Sequence, residues 1–461
     1  SGIFLVINIL NIKIKILYQI NVISQIPLYY VKIIAMKESN FKNKKVVIMG
    51  LGKYRNGSGI SAALFFAREN ARVLVTDLRA KSEFAKQIKK LKKYSNVKYV
   101  FGCHREEDFK KADIVFKNPS VPKNSPFLKI ARANGAAIVN DWTLFLAQRP
   151  DNLLIGITGS KGKSATASLI YEILKAAGRD AALCGNIGTS PLTILKKVKK
   201  ETIIVAELSS WLLQEFAEIK KNPKISVITN LMPDHLDKYE NLKEYYADKE
   251  NILKFQTPQD AVILNKDDAN LKKMAKKAKS RVVWFSGRKK YAAALAAANI
   301  LKIPKRIVLK TIKSFGGLPH RLEFIREKNG VKYYNDSAAT IPDAVSYALK
   351  SLGNNGKKII LIAGGADKNL NYKNMIKTIS QKVKELILLP GTATDKILKE
   401  RMKTRFQTAE NMEKAVVAAR RLSKKGDIVL LSPGAASFNM FENEFDRGNQ
   451  FKKIINKQKF S

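Results

Sequence analysis

The chain has 461 residues, 45% hydrophobic and 27% charged, the composition of a globular protein with room for two to four domains. Its two cysteines, Cys103 and Cys184, lie far apart and form no metal-ligand spacing, which argues against a disulfide framework and for a reducing, cytoplasmic compartment. The net charge of +45 would suit a nucleic-acid binder, but the lysines are scattered in pairs such as Lys89-Lys90, Lys196-Lys197 and Lys424-Lys425, and no basic block alternates with aromatic residues.

The charge is therefore expected to be solvated surface that speeds encounters with polyanions such as nucleotides, with no nucleic-acid partner. Residues 1–35 are rich in Ile, Asn, Lys and Tyr and hold no Asp or Glu. Asn8, Asn11, Lys13 and Lys15 interrupt the apolar run before it can span a bilayer, so no stable membrane insertion is expected. The signal-peptide pattern is not clean either, and Met36 is expected to begin the functional chain.

From Lys44 the sequence alternates between β and α patterns. Strands are predicted at Lys45–Met49, Arg72–Thr76, Val97–Phe101, Asp113–Phe116 and Ala136–Val139, with a helix over Ile60–Glu69. The pattern is Rossmann-like. A second unit opens with a strand at Leu153–Ile157, a glycine-rich turn and a helix over Ala165–Ala177. Its later strands are predicted at Thr202–Ala206, Ile225–Thr229 and Ala261–Leu264. A third unit follows Gly316–Pro319, with strands at Val331–Tyr334, Lys358–Ala363, Glu385–Leu389 and Asp427–Leu431.

The strongest chemical signal is GITGSKGKS, Gly156–Ser164, set between an apolar strand and a helix. Glycines there let backbone N–H groups converge on phosphate oxygens, and the helix N-terminus adds the positive end of a dipole. Lys163 is placed to reach phosphates and Ser164 to ligate Mg²⁺. The common pattern has glycine where Ile157 stands, so this loop is a variant. Glu207, at the end of a predicted strand beside the loop, is well placed for Mg²⁺, although a strand-end Glu is more often simply solvated. His235 is one of three histidines, with His104 and His320, and sits in a polar loop, which favours ligation or catalysis over packing. Lys249 alone reads as one more solvated lysine.

Seven blocks in order resemble the Mur ligase family: GITGSKGKS, ELSSW (Glu207–Trp211), TNLMPDHLDKY (Thr229–Tyr239), GLPHR (Gly317–Arg321), YNDSAAT (Tyr334–Thr340), AGGADK (Ala363–Lys368) and LSPGAASFNMFENEFDRGNQF (Leu431–Phe451). The last looks like that of the D-glutamate-adding members. The resemblance runs from about residue 45 to the C-terminal end.

The resemblance implies an α/β fold of three domains. A Rossmann-like UDP-sugar-binding domain is expected over 36–148, a central P-loop ATPase-like domain over 149–318, and a Rossmann-like amino-acid-binding domain over 319–461. It implies an ATP-dependent ligase of peptidoglycan synthesis that joins D-glutamate to UDP-N-acetylmuramoyl-L-alanine through an acyl phosphate, and acts as a monomer. ATP would meet Gly159, Ser160, Lys161, Gly162, Lys163 and Ser164, with Arg321 and Asp336 from the third domain. Two Mg²⁺ ions would be served by Ser164, Glu207, His235 and Lys249, the last carbamylated, which turns a cation into a carboxylate-like anion. The catalytic residues would be Lys163, His235 and Lys249. The UDP sugar would meet Gly50, Gly52, Asp77, Arg79, Asn186 and His235, and D-glutamate would meet His320, Thr340, Lys368 and Ser437.

Three positions depart from the family pattern. Leu212 stands where ELSSW is commonly followed by Gln, and Ala338 where some relatives have Lys. Residues 285–304 are short and lack the His-Asn motif that contacts adenine, so a loosened adenine pocket is expected. The alternatives are a sister Mur ligase, a folylpolyglutamate synthase-like enzyme, and a nucleotide-binding homologue impaired in catalysis.

Overall fold

The structure is a computed structural model, and it describes residues 41–52, 54, 56–232, 239–289, 291–352, 357–400, 402–438 and 440–457. Residues 1–35, Met36 and His235 lie outside the described residues. The chain divides into two compact units, the first ending at Ser314 and the second beginning at Phe315.

The first unit holds two parallel sheets. One is built from β1 (Lys45–Met49), β2 (Arg72–Asp77), β3 (Val97–Phe101), β4 (Ile114–Lys117) and β5 (Ala137–Val139), in the order β3-β2-β1-β4-β5. The order reverses between β1 and β4, and ligands of such sheets bind beyond the carboxyl ends of the strands at that point. The other contains β6 (Leu154–Thr158), β7 (Ala181–Gly185), β8 (Ile203–Glu207), β9 (Ile225–Ile228), β10 (Ala261–Asn265) and β11 (Arg281–Phe285), in the order β11-β10-β9-β6-β8-β7. Here β6, which feeds the phosphate loop, lies between β8 and β9. One hydrophobic core runs from Val46 and Ile48 of the first sheet through Trp142 and Phe216 to Ile204 and Val262 of the second.

The second unit holds β12 (Glu323–Lys328), β13 (Val331–Asn335), β14 (Ile359–Gly364), β15 (Val383–Leu389), β16 (Arg405–Thr408) and β17 (Ile428–Leu431), in the order β12-β13-β17-β14-β15-β16. Among the described strands of this unit, only β12 runs antiparallel to its neighbour. Helices cover both faces, and β14, Ile-Ile-Leu-Ile-Ala-Gly, is buried at every position. A strand covered on both faces reads as a continuous apolar run, which is why its sequence is so legible.

The α/β architecture with three sheets agrees with the sequence. Four strands escaped it: β7, β11, β12 and β16. Each forms one edge of a six-stranded sheet. An edge strand is half solvated, so it carries neither a continuous apolar run nor a strict alternation; β16 is exposed at three of its four residues. The helix after the phosphate loop begins at Lys163, two residues before the predicted Ala165.

Candidate active site

The phosphate loop joins β6 to the helix Lys163–Ala176. Two glycines make its path possible. Gly159 has φ +136°, and a Cβ there would lie 2.0 Å from Thr229 Oγ1. Gly162 caps the helix with φ +84°. Both conformations are costly for any residue with a side chain.

The loop is tied to the segment that follows β9. Ser160 N donates to Asn230 O at 3.0 Å and Lys161 N to Asn230 Oδ1 at 2.9 Å. Thr229 Oγ1 donates to Lys161 O at 2.6 Å, and Ser160 Oγ donates to Met232 O at 2.8 Å. Lys163 folds its ammonium back onto the carbonyls of Gly159 and Ser160, at 2.9 and 3.0 Å. Ser164 lies half-buried on the first turn of the helix.

Two further groups converge here. Lys249, on the helix Leu242–Glu250, is 2% exposed; its Nζ donates to Gly159 O at 3.1 Å and lies 4.5 Å from the centroid of the Tyr245 ring. What sequence alone read as a solvated lysine is thus buried against the phosphate loop. Glu207, the last residue of β8, is also 2% exposed. Its Oε1 accepts from Asn186 Nδ2 at 3.0 Å, while its Oε2 is buried without a hydrogen-bond partner among the described residues. A buried carboxylate oxygen left unpaired is costly, and a cation is the natural way to satisfy it. Among the described residues no three His, Cys, Asp or Glu side chains gather as a metal cluster. The oxygen donors at hand, Ser164 and Glu207, are of the type Mg²⁺ takes, and it binds with few protein ligands and substrate phosphates.

Sequence reasoning missed several residues that shape this region. Asn265, at the end of β10, donates to Thr229 O at 3.2 Å and accepts from Gly287 N at 3.0 Å. Asp268 accepts from Leu231 N at 2.6 Å. Asp248 binds Gln214 Nε2 at 2.5 Å and Tyr239 Oη at 2.7 Å. The signal available for Asn265 was the one used for Glu207: a polar residue at the carboxyl end of a parallel strand. Leu212, the departure from the family pattern, is buried in the core.

At the carboxyl end of β1, Gly50 and Gly52 have φ +88° and +76°. Asp77, at the end of β2, accepts Leu51 N at 3.0 Å through Oδ2, and Arg79 holds it through Nε and Nη2, each at 3.0 Å. Burial by itself would raise the Asp77 pKa, but the Arg79 hydrogen bonds and charge and the Leu51 N–H outweigh it and hold the carboxyl below its usual value. Asn118 Nδ2 donates to Gly50 O at 3.1 Å. Asn186 follows β7 and is exposed, its amide spent on Glu207.

In the second unit, buried His320 has φ +63°; its backbone N–H donates to Glu323 Oε2 at 2.9 Å and its Nδ1 lies 2.9 Å from Asn335 Nδ2. Burial lowers its pKa, against the pull of Glu323, which favours neutral imidazole. Asp336 accepts Leu322 N at 3.0 Å and Ser432 Oγ at 2.8 Å. Burial nevertheless pushes its pKa up to about 6. Ser437 is buried with its Oγ unpartnered. Thr340 is half-buried, and Arg321 is exposed. Lys368 follows β14 as an exposed residue, yet burial of its ammonium lowers its pKa, with Glu444 working in the opposite sense.

Comparison with known proteins decides the family. A MurD-like Mur ligase N-terminal domain matches residues 44–140, the Mur ligase middle domain 157–326, and the Mur ligase glutamate ligase domain 320–434. The UDP-N-acetylmuramoylalanine--D-glutamate ligase of Roseiflexus sp. (strain RS-1) is 37% identical, over 89% of this chain and 98% of its own length. The chain belongs to the Mur ligase family.

Two further relatives carry the same name. The one from Borreliella afzelii is 36% identical over 91% of this chain and 99% of its own length, and the one from Clostridioides difficile is 33% identical over 91% and 100%. Among solved structures, the UDP-N-acetylmuramate-alanine ligase of Thermotoga maritima matches with a TM-score of 0.57 at 18% identity, covering 90% of this chain and 99% of its own. The MurF ligase of the same organism, solved with ADP, matches at 0.55 and 17% identity, covering 91% and 99%. These two share the fold. As a Mur ligase the chain is an ATP-dependent enzyme that forms amide bonds. No helix among the described residues is long and apolar enough to cross a membrane.

Proposed function

We propose that this chain joins D-glutamate to UDP-N-acetylmuramoyl-L-alanine at the expense of ATP, in peptidoglycan synthesis. The observation that carries the choice of amino acid is full-length similarity to relatives named for that reaction, which the chain covers over 98–100% of their length. The free thiols Cys103 and Cys184 fit a reducing compartment, and the substrates are cytoplasmic, so the cytoplasm is the site of action. A single chain carries every residue assigned here, and we infer a monomer.

A carboxylate is a poor electrophile. Transfer of the γ-phosphoryl group of ATP to the substrate carboxylate gives an acyl phosphate and ADP; the D-glutamate amine then attacks the acyl carbon, loses a proton and expels phosphate. Charge on the phosphoryl oxygens is the main thing to be stabilised. Lys163 leaves the carbonyls of Gly159 and Ser160 and turns to the phosphates, while N–H groups of Gly159–Ser164 receive the remaining oxygens. One Mg²⁺ would be held by Ser164 and Glu207 and a second by His235 and a carbamylated Lys249, and when bound they would supply positive charge to the transferring group. The unpaired Oε2 of Glu207 supports this reading, and so does the burial of Lys249 against the loop.

Gly50, Gly52, Asp77 and Arg79, with Asn186, are assigned to the UDP sugar. Arg321 and Asp336 are assigned to ATP, and His320, Thr340, Lys368 and Ser437 to D-glutamate. The test is phosphate release from ATP with UDP-N-acetylmuramoyl-L-alanine and each candidate amino acid in turn. D-glutamate should give the highest kcat/KM by at least tenfold. Turnover with another amino acid and none with D-glutamate would overturn the assignment in favour of a sister ligase.

A further inference from the structure

Lys117 and Glu215 form an ion pair at 3.1 Å in which both side chains are about nine-tenths buried, at 7% and 11% exposed. Such a pair is an unusual way to hold two parts of a protein together. Taking both charges out of water costs about as much as their attraction returns, and apolar residues of similar volume often serve stability as well or better. What a buried pair can supply in their place is register, because only one arrangement satisfies both charges.

Its position gives that register a purpose. Lys117 is the last residue of β4, paired in the sheet with Met49, and also donates to Val121 O at 3.3 Å. The next residue, Asn118, holds Gly50 O. Lys117 is therefore one residue away from the side chain that holds the turn assigned to the UDP sugar. Glu215 lies on the helix Ser210–Glu218, whose N-cap Ser209 comes two residues after Glu207. Its neighbour Gln214 reaches Asp248, the residue before Lys249. The same helix packs Phe216 against Trp142 with ring centroids 5.4 Å apart and planes tilted, and Glu218 meets Lys123 at 2.5 Å in an exposed pair that contributes little.

We propose that Lys117 and Glu215 are positioning residues of the ligase reaction. Through the helix Ser210–Glu218 they hold the Gly50–Gly52 turn in fixed relation to Glu207 and Lys249, so that the substrate carboxylate is presented to the phosphoryl donor in line. Neither residue touches a reacting atom. The proposal rests on the assignment of the UDP sugar to that turn. Small misplacements of two reactants lower rate far more than they lower binding of either one.

The decisive variant is K117M/E215M, which removes both charges and keeps the volume. It should melt within a few degrees of the wild type and keep its KM for ATP within about twofold, while kcat/KM for the UDP sugar falls at least tenfold. K117R, which preserves the pair, should retain most of the activity. Wild-type kinetics in a well-folded K117M/E215M would overturn the proposal and reduce the pair to packing. If that variant does not fold, E215D is read in the same assay: it keeps the charge, withdraws it by one methylene, and should lower kcat with little change in KM for ATP. Unchanged kcat in E215D would equally overturn the proposal. A wild-type protein inactive with the UDP sugar would instead overturn the substrate assignment. Amide hydrogen exchange then still tests the pair, since K117M/E215M should exchange faster at Gly50–Gly52, and equal rates would refute it.

Discussion

Asn186 takes one oxygen of the Glu207 carboxylate, at 3.0 Å, and the other oxygen is buried with no partner among the described residues. The side chain is thereby aimed and half satisfied. The Asn186 amide holds it from one side, and the Glu207 backbone pairs with Ile157 of the strand that feeds the phosphate loop.

Glu207→Gln should therefore cost little in stability without ligands, because it replaces an unpaired buried charge with a neutral amide. It should lower kcat by about 10²–10³, the scale of losing one main stabiliser of transition-state charge. Melting curves with and without MgATP separate the two effects: the wild type should show a ligand-induced rise, and the variant should not. A full rise and full activity would remove Glu207 from the metal site.

Lys249 makes a chemical prediction. A carbamate forms when a neutral amine adds CO₂ and loses a proton, so its occupancy follows dissolved CO₂. Turnover should fall in buffer stripped of CO₂ and return when bicarbonate is added. A ¹³C resonance in the carbamate region should appear with labelled bicarbonate and be lost in Lys249→Ala. Activity indifferent to CO₂, with no such resonance, would leave Lys249 as an ammonium bound to Gly159 O.

Asp336 gives a pH dependence. Its folded pKa is raised to about 6 by burial, above the ordinary value of 3.8. Between those values the unfolded chain is ionised while the folded chain keeps the proton. Stability due to this group is thus full below about pH 4 and declines as pH rises through about 6, by on the order of 3 kcal/mol in all. If the ionised form contacts the nucleotide, kcat/KM for ATP should fall on the acid side with an apparent pKa near 6. In Asp336→Asn that limb should disappear along with most of the activity. An acid limb that survives in the variant belongs to another group.

Lys368→Ala should raise KM for D-glutamate roughly 30-fold or more, the consequence of removing one partner of a charge-assisted contact that the closed, substrate-bound site buries. KM for ATP should change less than about threefold. Unchanged D-glutamate kinetics would show that the Lys368 ammonium does not hold the substrate.

The legible parts of this fold were those where one constraint dominates. β14 is covered on both faces and reads as an unbroken apolar run, and the phosphate loop is fixed by Gly159, whose Cβ would collide with Thr229, and by Gly162, whose φ is positive. Glu207 was legible because it ends a buried strand next to that loop. Lys249 was not: nothing in Tyr-Tyr-Ala-Asp-Lys says which face of a short helix turns inward, and its burial depends on the loop it meets 90 residues earlier in the chain. The Lys117–Glu215 pair was hidden for the same reason, since each residue is one lysine or glutamate among many until two sheets are brought together. The raised pKa of Asp336 is likewise a product of burial and not of its neighbours in sequence.

The four edge strands that the sequence concealed have a colloidal consequence. Three of them display a large aromatic side chain to solvent: Trp284 on β11, 43% exposed, Phe324 on β12, 49% exposed, and Phe406 on β16, 50% exposed. Edges of that kind invite pairing with another copy. Each also carries an arginine, Arg281, Arg326 or Arg405, on a molecule of net charge +45, so two copies meet as like charges before their edges can touch. The repulsion operates only across the range that salt permits, about 10 Å at 0.1 M but about 3 Å at 1 M. Light scattering should therefore show dispersed protein at low ionic strength and reversible clustering near molar salt. The lysine excess would then serve to keep a concentrated solution of sticky-edged molecules apart.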